Sequence, residues 1–139
     1  MRTKTGANYL LDPSFLFKKA NLKEGEKIAD LGCGTTGHFV FPAAETVGGK
    51  GIVYAVDIRK HVLETVKKRA EQENYTNIKT VWSDLEIFQG TNIETESLDV
   101  GMLINTLFQS PKRSSMLRES VRLVKKNNRL LVVDWKNTH

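Results

Sequence analysis

The 139-residue sequence predicts an α/β fold with a doubly wound parallel sheet. Three observations predict it. Short apolar runs recur along the chain, helical patterns separate them, and the first run ends in a glycine-rich turn. Near-continuous apolar runs suit strands covered on both faces, as strands of a parallel sheet are.

Taken in order, residues 13–20 (PSFLFKKA) read as a helix, and Gly25 marks a turn before the first strand, 27–31 (KIADL). Residues 52–57 (IVYAVD) read as the second strand, supported by β-branched side chains. Val62, Leu63, Val66 and Ala70 then recur at helical spacing. The third and fourth strands fall at 78–83 and 98–104. Ser110-Pro111 starts the next helix, with a cap followed by a proline in the first turn. Leu117, Val121 and Val124 are expected on one face of it, and Arg118, Arg122 and Lys125 on another. Asn127-Asn128 reads as a tight turn into the fifth strand, 129–134. Alternation of strand and helix predicts right-handed crossovers. It places any ligand at the carboxyl ends of the strands.

Composition excludes several classes. Apolar residues make up 40% and charged residues 27%, which is neither a disordered nor a membrane-embedded balance. The N-terminus, MRTKTGANYL, has no apolar signal core behind its basic residues, so a cytoplasmic protein of one domain, 1–139, is expected. One cysteine, Cys33, allows no internal disulfide, and His38, His61 and His139 are too scattered for a metal site. The net charge of +5 gathers in two groups, Arg59 to Arg69 and Lys112 to Arg129. Such groups read as solvated helix faces or as a nucleic-acid footprint.

The most informative segment is Asp30-Leu31-Gly32-Cys33-Gly34-Thr35-Thr36-Gly37. Gly32, Gly34 and Gly37 satisfy G-x-G-x-x-G between a strand and a helix-like stretch. Alone, that pattern equally suits NAD or FAD. Asp30 changes the balance. A carboxylate at the root of the turn disfavours a nearby pyrophosphate and suits a ligand bearing ammonium and sulfonium charges. Asp57, ending the second strand, is placed to accept from ribose hydroxyls. Asp84, after the third strand, is placed to accept from an adenine amino group, with Leu85 against the ring.

On these residues the chain resembles the class I S-adenosylmethionine-dependent methyltransferases. Asp30 to Gly37 resembles the family's first motif, Val56-Asp57-Ile58 its ribose-binding motif and Ser83-Asp84-Leu85 its adenine-binding motif. Asn105-Thr106-Leu107-Phe108-Gln109 resembles the fourth motif, and Arg118 to Trp135 the helix, turn and strand that follow it. The resemblance implies a Rossmann-like sheet of five strands in the order 3-2-1-4-5, without the family's usual last two strands. It implies S-adenosylmethionine held by Asp30, Gly32, Cys33, Gly34, Gly37, Asp57, Ile58, Ser83, Asp84, Leu85 and Asn105. Tyr9, His38 and Gln109 are the substrate-side candidates, and no residue is singled out as the catalytic base.

The implied order leaves the fifth strand at an open edge, apolar from Leu130 to Val133. A homodimer or the N-terminal segment is expected to cover it. The methyl acceptor stays open between a small molecule and RNA. A non-catalytic S-adenosylmethionine-binding subunit is the alternative from another class, and Asp30 disfavours an NAD dehydrogenase. The fourth motif lacks the Asn/Asp-Pro-Pro-aromatic signature of amino-group methylation on bases. With Cys33 the only thiol, cysteine-mediated cytosine methylation and multi-thiol arsenic chemistry are also disfavoured.

Overall fold

Each apolar run forms a strand. The structure, a computed structural model, describes residues 11–134. The strands are β1 (Lys27–Leu31), β2 (Ile52–Asp57), β3 (Ile78–Trp82), β4 (Leu98–Ile104) and β5 (Val124–Val133). They form one sheet in the order β3-β2-β1-β4-β5, and every pairing is parallel. The helices are α1 (Pro13–Lys19), α2 (Val40–Val47), α3 (Lys60–Gln72) and α4 (Arg113–Leu123).

The period of two along the strands divides the core between the sheet's faces. Ile28, Val53, Ala55, Val100 and Met102 point to the face covered by α1, α2 and α3. Ala29, Leu31, Val56 and Leu103 point to the other, where Met116 and Leu123 of α4, Leu85 and Ile93 of the β3–β4 connection and Leu98, before the irregularity in β4, meet them. Each fully buried aliphatic side chain contributes about 1.5–3 kcal/mol. Helix α1 begins as its sequence dictates: Asp12 accepts from Ser14 N–H at 2.9 Å and Pro13 stands at the first helical position. Helix α3 buries the expected stripe of Val62, Leu63, Val66 and Ala70.

Helix α4 departs from the sequence reading. Its buried face is Met116, Glu119, Ser120 and Leu123. Val121 is 59% exposed, and Val124 already belongs to β5. The stripe is rotated because a charged pair occupies it. Glu119 is wholly buried, accepts the N–H groups of Gln89 and Thr91 at 2.7 and 2.9 Å, and pairs with Arg122 at 2.7 Å. Arg122 in turn donates to Thr91 O and Thr95 Oγ1. Hydropathy counting assigns both residues to solvent, and together they clasp the β3–β4 connection onto the helix.

The start of β5 also moves. Leu98 pairs with Val124 and Val100 with Arg129, so two steps on β4 face five on β5. The extra residues bulge out, with Asn127 at φ 63°. The turn expected at Asn127-Asn128 is thus a bulge inside the strand, and regular pairing resumes at Arg129, where the sequence placed the strand's start. The third strand ends one residue early, at Trp82. Among the described residues, no helix is long and apolar enough to cross a membrane.

Candidate functional site

The carboxyl ends of β1, β2 and β4 open into a cleft of about 550 Å³. Its floor is the glycine turn. Gly32 and Cys33 N–H both donate to Val56 O, at 2.8 and 2.9 Å, which pins the turn to β2. Gly32 has φ 90°, and a Cβ there would lie 2.7 Å from Thr106 Oγ1. That hydroxyl is shared between the carbonyls of Leu31 and Ile104, 3.1 Å from each, and so braces the ends of β1 and β4. Gly34 has φ 73° and nothing within 4 Å of where a Cβ would stand. It presents bare backbone to open space. Gly37, also at positive φ, lies outside the cleft wall, and a Cβ there would clash with the edge of the Phe41 ring at Cε2.

Of the residues singled out in the sequence, Gly32, Cys33, Gly34, Asp57, Ile58, Ser83, Asp84, Leu85, Asn105 and Gln109 all line this one cleft. Asp30 stands at the root of the turn, 1% exposed, and its Oδ2 has no hydrogen-bond partner. Ser83 Oγ is 2.6 Å from Thr91 Oγ1, and Asp84 Oδ1 accepts from Glu86 N–H at 3.0 Å. Asn105 is buried at φ 56°. Its N–H donates to Val133 O, and its carbonyl accepts from Gln109 Nε2. A left-handed non-glycine residue costs about 1–2 kcal/mol, so the end of β4 is held by its neighbours. His38 is directed elsewhere: its Nε2 lies 2.6 Å from Leu11 O, in a groove with Ser14, Phe17 and Phe41. Tyr9 lies outside the described residues.

A family model described as a methyltransferase domain matches residues 22–138. The chain belongs to this family, the class I S-adenosylmethionine-dependent methyltransferases. It is 40% identical over 62 residues to the aklanonic acid methyltransferase DauC of a Streptomyces species, covering 45% of this chain and 28% of that protein. It is 31% identical over 114 residues to the demethylmenaquinone methyltransferase of Lactococcus lactis, covering 79% of this chain and 42% of that one. The chain therefore spans less than half the length of these relatives. A S-adenosylmethionine-dependent methyltransferase from Aquifex aeolicus superposes with a TM-score of 0.83 over 96% of this chain and 69% of its own, at 23% identity, and shares the fold.

S-adenosylmethionine is the methyltransferase family's cofactor, and the residues present fit it. Burial, with the Asp57 carboxylate adding to it, raises the Asp30 carboxyl to about 7. Its unpartnered oxygen is a buried acceptor suited to a cationic ligand. Gly34 leaves the backbone open to close approach. Asp57 behaves oppositely to Asp30. Burial pushes its carboxyl up, but hydrogen bonds from the Arg59 side chain and backbone and from Gly34 N–H outweigh that and hold it below the usual range. Burial pushes the Cys33 thiol up, with Asp30 and Asp57 adding, so it stays protonated and is a poor nucleophile.

Arg59, Glu86, Ile104 and Met116 are cleft residues the motif reading passed over. Arg59 was counted only as surface charge; its place two residues after Asp57 was the available signal. Four of the other basic residues are engaged in ion pairs. Arg122 serves the Glu119 clasp, Lys125 pairs with Asp99, Arg129 with Glu26 and Arg69 with Glu73.

Proposed function

We propose that the cleft binds S-adenosylmethionine and that the chain transfers its methyl group to a small, largely apolar acceptor. The observation that carries the cofactor's orientation is the buried, unpartnered Oδ2 of Asp30 beside the open face of Gly34. Asp30 attracts the ligand's ammonium end, and Asp57 accepts from its ribose hydroxyls. Ile58 and Leu85 pack on its adenine, with Ser83 and Asp84 at the ring's polar edge. When bound, the cofactor supplies a methyl group already activated on a sulfonium. The chain's task is then to hold a nucleophile in line with it, which is how positioning lowers a barrier. Asn105 and Gln109 border that position. A general base is required only for an acceptor that must lose a proton.

The acceptor class is supported by apolar side chains that neighbour cleft residues in the chain. Ile87, Phe88 and Phe108 are exposed and flank the cleft residues Glu86 and Gln109 in sequence; Arg118 stacks on Phe88 at 4.9 Å, and Arg113 donates to Phe108 O. The relatives named for aklanonic acid and demethylmenaquinone point the same way. Engagement of Arg69, Arg122, Lys125 and Arg129 in ion pairs leaves less free cationic surface for RNA. A free, buried Cys33 supports the cytoplasmic setting. The exposed Val132 on the edge strand β5 supports self-association there, which sedimentation of the purified chain tests.

The deciding experiment incubates the chain with methyl-labelled S-adenosylmethionine and, separately, a small-metabolite extract and total RNA, with Asp30→Ala as control. Label in a metabolite, lost in the variant, supports the reading. Label in RNA overturns the acceptor class. Binding without transfer to either pool favours a cofactor-binding subunit.

A further inference from the structure

Asp57 carries the function of ribose acceptor in the reading above, yet its acceptor capacity is already full. Oδ1 accepts from Arg59 N–H and Arg59 Nε, each at 3.0 Å, and Oδ2 accepts from Gly34 N–H and Arg59 Nη2, each at 3.2 Å. Two oxygens with four donors have no lone pair left for a ribose diol. Two of the donors are backbone groups of the turn and the strand end. The other two belong to one guanidinium, and only these are removable without rebuilding the site.

Arg59 is well placed to leave. It is the N-cap residue of α3, and its side chain is 56% exposed while Asp57 is buried. A cation at a helix N-terminus gains nothing from the helix dipole, which favours anions there. Asp57 is its only ion-pair partner among the described residues. The forked contact thus rests on one carboxylate, and the head group has water to move into.

We propose that Arg59 is a latch on the cofactor cleft: it occupies Asp57 in the ligand-free chain, and an adenosyl ligand binds by exchanging its two ribose hydroxyls for Nε and Nη2. The latch neutralises Asp57, the neighbour whose charge raises Asp30, while the cleft is without ligand. It also taxes every adenosyl ligand by the strength of the pair it must break. The proposal rests on the reading of Asp57 as the ribose acceptor.

The test is equilibrium binding of adenosine, S-adenosylhomocysteine, S-adenosylmethionine and 2′,3′-dideoxyadenosine to the wild-type chain, Arg59→Ala, Arg59→Lys and Asp57→Asn. Partly exposed ion pairs are worth little, so removing the latch tightens binding by about two- to fivefold. The gain should be equal for adenosine, S-adenosylhomocysteine and S-adenosylmethionine, and absent for the dideoxy compound, which has no diol to exchange. Arg59→Lys, which keeps the charge but loses the fork, should fall between. For uncharged adenosine, raising salt from about 50 to 500 mM should tighten binding to the wild type and not to Arg59→Ala, because only the ion pair is screened. Weaker binding of all ligands by Arg59→Ala would make Arg59 part of the binding surface and overturn the latch. A gain that grows with ligand charge and vanishes for adenosine would reduce Arg59 to a general field and overturn it too. If Asp57→Asn weakens adenosine but Arg59→Ala changes nothing, the latch alone is wrong. If Asp57→Asn leaves adenosine unaffected, the ribose assignment fails with it.

Discussion

Replacing Asp30 by Asn separates what the cleft does for the fold from what it does for the ligand. The carboxyl is buried and raised from 3.8 to about 7, first by desolvation and then by Asp57. In the unfolded chain it ionises near its ordinary value. Between about pH 4 and 7 the folded chain therefore keeps a proton that the unfolded chain has released. The stability this contributes is fully present below pH 4 and is lost as pH rises through 7. A displacement of about three units corresponds to roughly 4 kcal/mol. Asn mimics the protonated form at any pH but brings an amide that needs new partners, at a cost of about 1–2 kcal/mol. Asp30→Asn should thus be about 2–3 kcal/mol more stable than wild type at pH 8 and no more stable at pH 4. Urea unfolding of both proteins at the two pH values, with the m-value checked, measures this. The same variant should lose most of its S-adenosylmethionine affinity. In the wild type, affinity should rise up to about tenfold per pH unit below 7, as ionised Asp30 becomes available. A variant that is less stable than wild type at pH 8, or a stability difference independent of pH, would refute the reasoning.

Three further outcomes follow from the geometry. Gly34→Ala should fold, losing about 1–2 kcal/mol for its left-handed φ, yet bind cofactor at least tenfold more weakly, because its methyl enters open cleft space; calorimetric binding beside thermal melting reads both. Gly37→Ala should show the reverse emphasis: its Cβ meets the Phe41 ring, so the melting temperature falls first and by more than in Gly34→Ala. Glu119→Ala should cost about 3–5 kcal/mol in denaturant unfolding, since it strands Arg122 and two loop N–H groups, whereas the exposed Val121→Ala should cost less than about 0.5 kcal/mol.

The five strands and the cleft were legible because buried parallel strands carry a continuous apolar signal and the glycine turn a fixed spacing. Asp30, Asp57 and Asp84 were legible for a related reason: each is a charge at or just beyond the end of an apolar run, a placement that burial penalises unless a ligand or partner compensates. The errors have the opposite origin. Glu119 and Arg122 lie in a buried stripe, and a reading that equates charge with solvent rotates α4 by a residue or so to expose them. The β5 bulge satisfies the same turn signal as a loop, because Asn127 at positive φ serves either. Arg59 was seen as charge and missed as a partner, since nothing in a linear count says that its head group folds back two residues.

The Glu119 clasp has a consequence for how this cleft can change over time. Glu119 grips the β3–β4 connection by backbone N–H groups of residues 89 and 91, and Arg122 adds the carbonyl of Thr91. Except at a proline, which has no N–H, these backbone groups are present whatever side chains the connection bears. The connection carrying Ile87 and Phe88 can therefore exchange its side chains while its path stays anchored, without each step having to re-solve the fold.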